Sequence, residues 1–276
     1  MRPNLIRNYS PNFSLPKRSK KIIKFVIIHY TGMKKESSAI EKLCNPKYSV
    51  SSHYFIKNNG NILNLVPDLY EAWHAGKSSW KKFKSLNKYS IGIEIQNPGH
   101  NNNYKKFSLK QISSLIKLLK YLMKIYRIKR KNILGHSDIA PNRKKDPGEK
   151  FPWKKLAKNK LAQWYKLNEK KLFRFRGVKL TSKDENRFVN NLYNFGYNKI
   201  DVNKSNYNKK TLTKAFQRRF RQNLINGIVD KECFLISKSL IKWLRIIVEL
   251  FYFSNKLELP DKWLVALINF KEESPG

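Results

Sequence analysis

The apolar residues in the first half of the chain follow the spacing of β-strands. The run Phe25–His29 is apolar and largely β-branched up to its last residue, as in a strand that is covered on both faces. Two further runs, Val50–Lys57 and Ile62–Val66, flank an Asn-Gly pair, which predicts a hairpin. In Tyr89–Gln96 isoleucines alternate with smaller or polar residues, which predicts a strand with one apolar face. These four segments predict a β-sheet.

The apolar spacing changes to a helical period after Ser108. Ser108 and Gln111 form a capping box, and apolar residues then recur at helical spacing up to Tyr126. Shorter helices are predicted at Ser37–Leu43 and at Trp153–Tyr165, where the first domain closes. Together the strands and helices predict an α/β fold with a mixed central sheet flanked by helices.

The composition changes near residue 166, and the remainder of the chain predicts a small three-helix domain. We place a first domain at residues 1–166, a basic and irregular linker at 167–180 and a helical domain at 181–276. In the helical domain Ser182 and Glu185 match a capping box, and Asn226–Asp230 precedes the third helix. The apolar run Leu240–Phe253 is interrupted by charged residues and predicts a core or interface helix, not a membrane anchor.

Composition adds a large positive charge to this picture. The chain has 276 residues, with 58 Lys and Arg against 19 Asp and Glu, and its net charge is +39. Such a charge is typical of proteins that bind nucleic acid or an anionic surface. The lysines are spread over every segment, however, and we find no nucleic-acid-binding motif, so we expect no nucleic-acid partner. The alternative is a basic nucleic-acid-binding protein, which a steep salt dependence of duplex binding would support.

The cysteines and the N-terminal sequence bear on the compartment. Cys44 and Cys233 are far apart and outside any Cys-x-x-Cys motif, so neither a disulfide framework nor a thiolate metal site is expected. The first 21 residues contain prolines and charges where a secretory signal has an apolar run. The apolar segment Ile22–Ile28 is too short to span a bilayer. From the sequence alone we expect a soluble, cytoplasmic protein without a membrane span.

Candidate chemistry is concentrated in the segment Gly135–Trp153. Its prolines and glycines predict a rigid loop instead of a helix or a strand. A loop that doubles back can bring His136, Lys144 and Asp146 to one point, where an imidazole and a carboxylate can share one ion. Zinc accepts both kinds of ligand. The alternative is a surface turn with an isolated histidine.

This segment also resembles a known family. It contains Gly-His-Ser-Asp-Ile-Ala-Pro, Arg-Lys, Asp-Pro-Gly and Phe-Pro-Trp in that order, as in the zinc-dependent N-acetylmuramoyl-L-alanine amidases that share the fold of peptidoglycan recognition proteins. The resemblance implies that His136 and Asp146 bind zinc and that Lys144 is catalytic. It assigns the first zinc ligand to His29, in a His-Tyr-Thr segment at the end of the first strand. For His29 taken alone, the alternative is a histidine hydrogen-bonded in the core.

Further site residues follow from the same resemblance. Glu94 stands where the family carries its catalytic glutamate, and a carboxylate within an apolar strand is unfavourable unless it faces a polar site. Gly92 beside it leaves room for another group to approach. Trp73 and His74, in the loop Ala-Trp-His-Ala-Gly, are candidates for substrate binding, with simple packing as the alternative. Arg143 is a third candidate for substrate binding.

The two remaining histidines receive no role in the site. His53 lies in the predicted hairpin, where we expect it to be structural. His100 lies in a polar turn, where we expect it to be exposed.

The resemblance implies an enzyme that hydrolyses the amide bond between N-acetylmuramic acid and L-alanine in peptidoglycan or muropeptides, with Zn²⁺ as cofactor. Three protein ligands would leave zinc one position for water. Glu94 would transfer the proton of that water, and Lys144 would help to stabilise the oxyanion. Spacing alone indicates only a metal-assisted hydrolase. The alternative is a non-catalytic peptidoglycan-recognition protein, which would lack part of this residue set.

The three predicted C-terminal helices resemble the peptidoglycan-binding domain found in tandem with some of these amidases. The loop Asp201–Asn206 lacks the glycines usual there, so a plain helical packing module is the alternative. A cell-wall-binding domain favours the periplasm or cell envelope over the cytoplasm. Because every proposed catalytic residue precedes Lys170, the sequence predicts that activity on soluble muropeptides survives truncation at that point.

Overall fold

A six-stranded sheet forms the centre of the protein. The computed structural model describes residues 3–199 and 205–241. The strands in chain order are β1 Ile6–Arg7, β2 Phe13–Ser14, β3 Phe25–Tyr30, β4 Tyr54–Ile56, β5 Ile62–Asn64, β6 Glu71–Ala72, β7 Ser79–Trp80, β8 Phe83–Lys84, β9 Ser90–Ile95 and β10 Ile133–Gly135. The helices are α1 Glu36–Cys44, α2 Leu109–Tyr126, α3 His136–Ile139, α4 Trp153–Lys158, α5 Glu169–Phe173, α6 Ser182–Phe195 and α7 Ser205–Phe220. Residues 231–241 are also helical.

The order of the large sheet is β1-β5-β4-β9-β3-β10. Its strand pairs are parallel except for the β4–β5 hairpin, which the sequence predicted. Strand β3 lies between β9 and β10, with His29 opposite Glu94 and Ile28 opposite Gly135. Because parallel neighbours end at the same edge, β3, β9 and β10 bring their carboxyl ends together. The predicted mixed sheet flanked by helices is confirmed.

Alternation along the central strands directs side chains into two cores. Val26 and Ile28 pack with the isoleucines of β9 against the apolar face of α2. Phe25 and Ile27 point to the opposite face and pack with Trp80 and with aromatic residues of α6 and α7. Burial of each β9 isoleucine contributes about 1.5–3 kcal/mol, so the register of this strand is strongly fixed. A slip by one residue would move Glu94 into the core beneath α2.

Helix α2 begins and ends as the sequence indicates. The Ser108 hydroxyl accepts from the Gln111 amide at 3.1 Å, and the Gln111 side chain accepts from the Ser108 amide at 2.9 Å. This reciprocal pair is the predicted capping box, and it satisfies two backbone donors of the first turn. The helix ends at Tyr126, and the residue that follows, Arg127, has a left-handed φ of 52°.

The segment Gly135–Trp153 is not a loop throughout, so that part of the prediction is wrong. After β10 the chain makes one helical turn, α3, because the Asp138 carboxylate accepts from the Gly135 amide at 2.8 Å and caps the turn. Helix α4 is also shorter than the predicted Trp153–Tyr165. It ends at Lys158, and Lys160 then adopts a left-handed φ of 61°.

Three helical segments of the C-terminal region are present, with differences in detail. Helix α6 is capped by Thr181, whose hydroxyl accepts from the Asp184 amide at 3.2 Å, and not by Ser182 as predicted. Residues 167–180, predicted as an irregular linker, contain α5, whose Leu172 is buried in the second core. Most of the predicted loop Asp201–Asn206, most of the predicted helix Leu240–Phe253 and the tail beyond it lie outside the described residues.

Candidate metal centre

Three buried side chains meet at the carboxyl end of the central strands. His29 lies near the end of β3, His136 begins α3 directly after β10, and Asp146 follows in the loop. Nδ1 of His29 lies 2.9 Å from Nδ1 of His136 and 3.0 Å from Oδ2 of Asp146. Nδ1 of His136 lies 3.1 Å from the same carboxylate oxygen. The ligand set predicted from the sequence therefore converges on one point.

The surroundings of His136 determine which of its nitrogen atoms carries the proton. Nε2 lies 3.1 Å from the carbonyl oxygen of Ala75, which can only accept, and 3.4 Å from Nη2 of Arg143, which can only donate; the shorter contact places the proton on Nε2. Arg143 donates to the same carbonyl oxygen and to that of Lys77, and this fixes the strand-to-loop segment behind the ring. In the neutral ring, Nδ1 of His136 is therefore a lone pair that faces the other two ligands.

The same reasoning applies to His29 through a chain of hydrogen bonds. The Ser90 hydroxyl donates to the Leu86 carbonyl, so it accepts from Nε2 of His74 at 3.3 Å. Nδ1 of His74 is then an acceptor, and Nε2 of His29 donates to it at 3.0 Å. Nδ1 of His29 is thus left as a second lone pair.

The site therefore collects two imidazole lone pairs and one carboxylate without an intervening proton. Burial and the adjacent His136 lower the pKa of His29 to about 4, which keeps its ring neutral near pH 7. Burial on its own would raise the pKa of Asp146, but the His136 and His29 rings lower it below its ordinary value. Three converging acceptors repel one another unless a cation lies between them. Two imidazoles and one carboxylate are a donor set that fits Zn²⁺ with one position left open.

Glu94 is the register partner of His29 on β9 and shares its face of the sheet. Its Oε2 atom is buried and has no hydrogen-bond partner among the described residues. Burial and the charge of Asp146 raise the pKa of Glu94 to about 8, against an opposing effect of Lys144. A carboxyl group with a raised pKa beside a metal site is suited to exchanging a proton with a reacting group.

The two neighbouring lysines of the loop differ in their relation to the site. Lys144 is half-buried, and its charge opposes the raised pKa of Glu94 and adds to the lowering of the His29 pKa, in which burial is the largest effect. Lys145 is exposed. Lys144 thus acts electrostatically on Glu94 and His29, and the catalytic role that the resemblance implies for it stays a prediction.

His74 lies behind a ligand and does not line an open cleft. Its ring is buried, and it packs edge-to-face on His29 with the ring centroids 5.1 Å apart. The ring fits because β9 carries Gly92 at this place: a Cβ atom there would lie 2.4 Å from Cγ of His74. A partner that accepts from the outer nitrogen of a ligand histidine fixes the orientation of that ligand. The contact between the two rings suits His74 to orienting His29.

Trp73 is held by a contact with the N-terminal strand β2. Its indole N–H donates to the Ser14 hydroxyl at 2.8 Å, so it fastens the N-terminal strand β2. His53 is structural, as expected: the Gly92 amide donates to its Nδ1 at 3.0 Å, and its Nε2 lies 3.0 Å from the Tyr70 carbonyl oxygen.

His100 is not the exposed turn residue that the sequence predicted. It is half-buried, and its ring bridges the Tyr30 hydroxyl at 2.8 Å and the Glu149 carboxylate at 3.0 Å. It also stacks on Tyr104, whose hydroxyl donates to the Pro147 carbonyl at 2.6 Å. The sequence contains no local signal for this contact, because the partners lie 49 and 70 positions away. His100 thus helps to hold the loop that follows Asp146.

Sequence reasoning also missed a group beneath the ligand turn. Asp138, two residues after His136, accepts hydrogen bonds from the Tyr197 hydroxyl and from the guanidinium of Arg219. Asp138 and Arg219 are each 1% exposed. Asp138 belongs to the recognised motif, but its distant partners leave no local pattern.

A sheet with three buried side chains that could hold a metal ion at its strand ends, and a further carboxylate beside them, is an arrangement suited to a metallohydrolase. Comparisons with known proteins identify the family of hydrolases to which the chain belongs. Residues 18–149 match the family model described as N-acetylmuramoyl-L-alanine amidase. The chain is 34% identical over 232 residues to the N-acetylmuramoyl-L-alanine amidase AmiD of Escherichia coli, an alignment that covers 80% of this chain and 83% of AmiD. The chain therefore belongs to the N-acetylmuramoyl-L-alanine amidase family.

Other relatives and solved structures agree with this assignment. The chain is 39% identical over 107 residues to the 1,6-anhydro-N-acetylmuramyl-L-alanine amidase AmpD of Haemophilus influenzae, covering 38% of this chain and 56% of AmpD. The E. coli AmiD structure with anhydro-N-acetylmuramic acid-L-Ala-D-γ-Glu-L-Lys has a TM-score of 0.70 at 32% identity, covering 83% of this chain and 92% of that one. AmpDh3 of Pseudomonas aeruginosa, in complex with anhydromuramic pentapeptide, has a TM-score of 0.71 at 28% identity, covering 85% and 97%.

These findings confirm the predicted family and enzyme class. The family model ends at residue 149, so the resemblance of the C-terminal helices to a peptidoglycan-binding domain stays a prediction. Within residues 3–199 and 205–241, no helix combines the length and the apolar character needed to cross a bilayer.

Proposed function

We propose that this amidase uses zinc to cleave the amide bond between the lactyl group of N-acetylmuramic acid and L-alanine in peptidoglycan-derived muropeptides. The observation that carries the proposal is the convergence of two histidine lone pairs and one carboxylate beside Glu94, whose Oε2 atom is buried. The complexes of AmiD and AmpDh3 with anhydromuramyl peptides support this substrate class. The net charge of +39 also suits a substrate whose peptide carries carboxylates.

The zinc ligands in this proposal are Nδ1 of His29, Nδ1 of His136 and Oδ2 of Asp146. Zinc bound there would supply a Lewis acid and would lower the pKa of a water molecule towards neutrality. His74 and the Ala75 carbonyl hold the two imidazoles in the tautomers that leave these Nδ1 atoms free.

Glu94 and Lys144 carry the remaining steps. The positive charge of bound zinc would favour the carboxylate form of Glu94, which takes a proton from the attacking water as the water oxygen bonds to the carbonyl carbon. Glu94 then delivers that proton to the nitrogen of L-alanine as the carbon–nitrogen bond breaks, so that a lactyl carboxylic acid and a free amine leave. Lys144 places a positive charge where the carbonyl oxygen becomes negative.

The experiment is a product analysis with a soluble anhydro-N-acetylmuramyl tripeptide. Wild-type protein should release the free peptide with an unblocked L-alanine, identified by mass spectrometry, and Glu94→Gln should release it at least a hundredfold more slowly while keeping its metal. Intact sacculi assayed in parallel would define whether polymer is also cleaved. Cleavage of a different bond, or equal rates for both proteins, would contradict the proposal.

Metal content tests the ligand assignment separately. Protein purified without chelators should contain about one zinc per chain, as in a mononuclear site with three protein ligands. His136→Ala should lose this zinc while keeping the fold. Full zinc occupancy in His136→Ala would remove the assignment.

A further inference from the structure

The turn that carries His136 is fastened from below by the C-terminal helical region. Asp138 has three contacts: the Gly135 amide at 2.8 Å, the Tyr197 hydroxyl at 2.7 Å and the guanidinium of Arg219. Tyr197 follows α6, and Arg219 lies in the last turn of α7, 81 positions from Asp138. A carboxylate within the metal-binding turn is therefore paired by residues from beyond the predicted linker.

The surroundings of Arg219 show that this contact is part of the core. Its guanidinium also donates to the Ile133 carbonyl oxygen of β10 at 3.1 Å, and it lies over the ring of Trp153 at 4.4 Å. Burial and the adjacent Asp138 raise the pKa of Tyr197 well above its ordinary value, so its phenol keeps the proton that it donates. A buried charge that loses its partner is strongly destabilising, so breaking the Asp138–Arg219 ion pair would destabilise the folded protein.

Movement of this turn would displace two of the three proposed ligands. The Ser137 amide donates to the Asp146 carbonyl oxygen at 2.8 Å, which ties α3 to the ligand loop. Gly135 is pressed against the same loop, since a Cβ atom there would lie 2.7 Å from Cδ of Pro147. The position of the Asp138 carboxylate thus bears on both His136 and Asp146.

We propose that Arg219 and Tyr197 are positioning residues of the metal centre and that the C-terminal helical region is a part of the catalytic unit. This inference deepens the proposed function and rests on its metal site. It reverses the expectation from sequence that activity survives truncation near Lys170, because truncation would remove both side chains that hold the Asp138 carboxylate.

The chain offers a matched control for Arg219. Arg221 lies two residues further on, is 3% exposed and pairs with the buried Asp230 and Glu232, all within the C-terminal region. Arg219→Met and Arg221→Met each remove one buried cation from a buried carboxylate. The pair that faces the metal turn is disrupted only in Arg219→Met.

The test measures zinc affinity by competition with a chromophoric chelator, together with the visible spectrum of the cobalt-substituted full-length protein. We expect zinc to bind at least tenfold more weakly to Arg219→Met and about threefold more weakly to Tyr197→Phe, with an altered cobalt spectrum in both. Arg221→Met should lower the melting temperature but leave zinc affinity and spectrum at the wild-type values. Tyr197→Phe removes a single hydroxyl and carries the test if Arg219→Met does not fold.

Two results would overturn this inference. One is a zinc affinity and a cobalt spectrum in Arg219→Met that equal those of the control Arg221→Met. If Arg219→Met does not fold, the same comparison is made between Tyr197→Phe and Arg221→Met. The other is a wild-type protein that binds no zinc, which would overturn the proposed function as well. Normal wild-type zinc binding with unperturbed variants would refute only the positioning role.

Discussion

A single methyl group added at Gly92 should weaken metal binding without touching a ligand. A Cβ atom at this position would lie 2.4, 2.6 and 2.7 Å from three atoms of the His74 ring. Non-bonded heavy atoms normally approach to about 3.5 Å, so the ring would have to move by about 1 Å. The ring is buried between Ser90 and His29, with hydrogen bonds to both, and it cannot move without breaking one of them.

The expected magnitude follows from these contacts. Overpacking of a filled core costs about 1–3 kcal/mol. Loss of the group that orients a metal ligand typically weakens metal binding 10- to 100-fold, which corresponds to about 1.4–2.7 kcal/mol. We therefore expect Gly92→Ala to raise the zinc dissociation constant 10- to 100-fold, measured by chelator competition. Circular dichroism and melting temperature would establish that the sheet is intact.

A double-mutant cycle identifies the route of the effect. His74→Ala should weaken zinc binding by a similar factor, because His29 then loses the acceptor of its outer N–H. In Gly92→Ala/His74→Ala the added methyl group meets an empty space, so the double variant should resemble His74→Ala alone. Fully additive losses, or normal zinc binding in Gly92→Ala, would refute the role assigned to His74.

Three further predictions address catalysis, pH and the C-terminal region. Lys144→Met should keep zinc but lose on the order of a hundredfold in kcat, with little change in KM. Lys145→Met should turn over normally. Near-normal rates in both variants would exclude a catalytic Lys144. In metal-free protein the pKa of Glu94 is raised from 4.5 to about 8, so the folded state holds a proton that the unfolded chain releases. The free energy of unfolding of the wild type should therefore fall relative to that of Glu94→Gln as pH rises from 4.5 to about 8. A difference between the two proteins that does not change with pH would contradict the raised pKa of Glu94. Thr181→Ala should cost about 1 kcal/mol in chemical denaturation and Ser182→Ala much less, with the reverse order counting against Thr181 as the cap.

The sequence predicted the sheet and the convergence of His29, His136 and Asp146, because both follow from local patterns. The alternation of residues in β9 places Glu94 on the face of the strand that does not carry the isoleucines. The register between β9 and β3 then puts Glu94 beside His29. The motif supplied His136 and Asp146 together. The ligand nitrogen atoms could not be predicted, since they depend on hydrogen bonds made behind each ring by residues such as Ala75.

The errors come from contacts that span long stretches of chain or from choices between similar neighbours. The helical turn α3 was missed because its cap is Asp138, within a segment whose prolines and glycines suggested an irregular loop. Thr181 and Ser182 are both good caps by residue type, and only the backbone conformation distinguishes them. The role of His74 was left open because its ring orientation depends on packing over Gly92.

The positions of His29 and His136 in the sheet have a consequence for folding. His29 and His136 lie at the ends of two adjacent parallel strands, 107 positions apart in the chain, and those strands carry their own apolar cores on both faces. These side chains therefore meet only after the sheet has assembled, so zinc binding to them would be a late event in folding. In small zinc domains the metal supplies the folding free energy itself. Zinc bound here would instead add to a framework that two apolar cores already support, so its dissociation and rebinding would leave the chain folded.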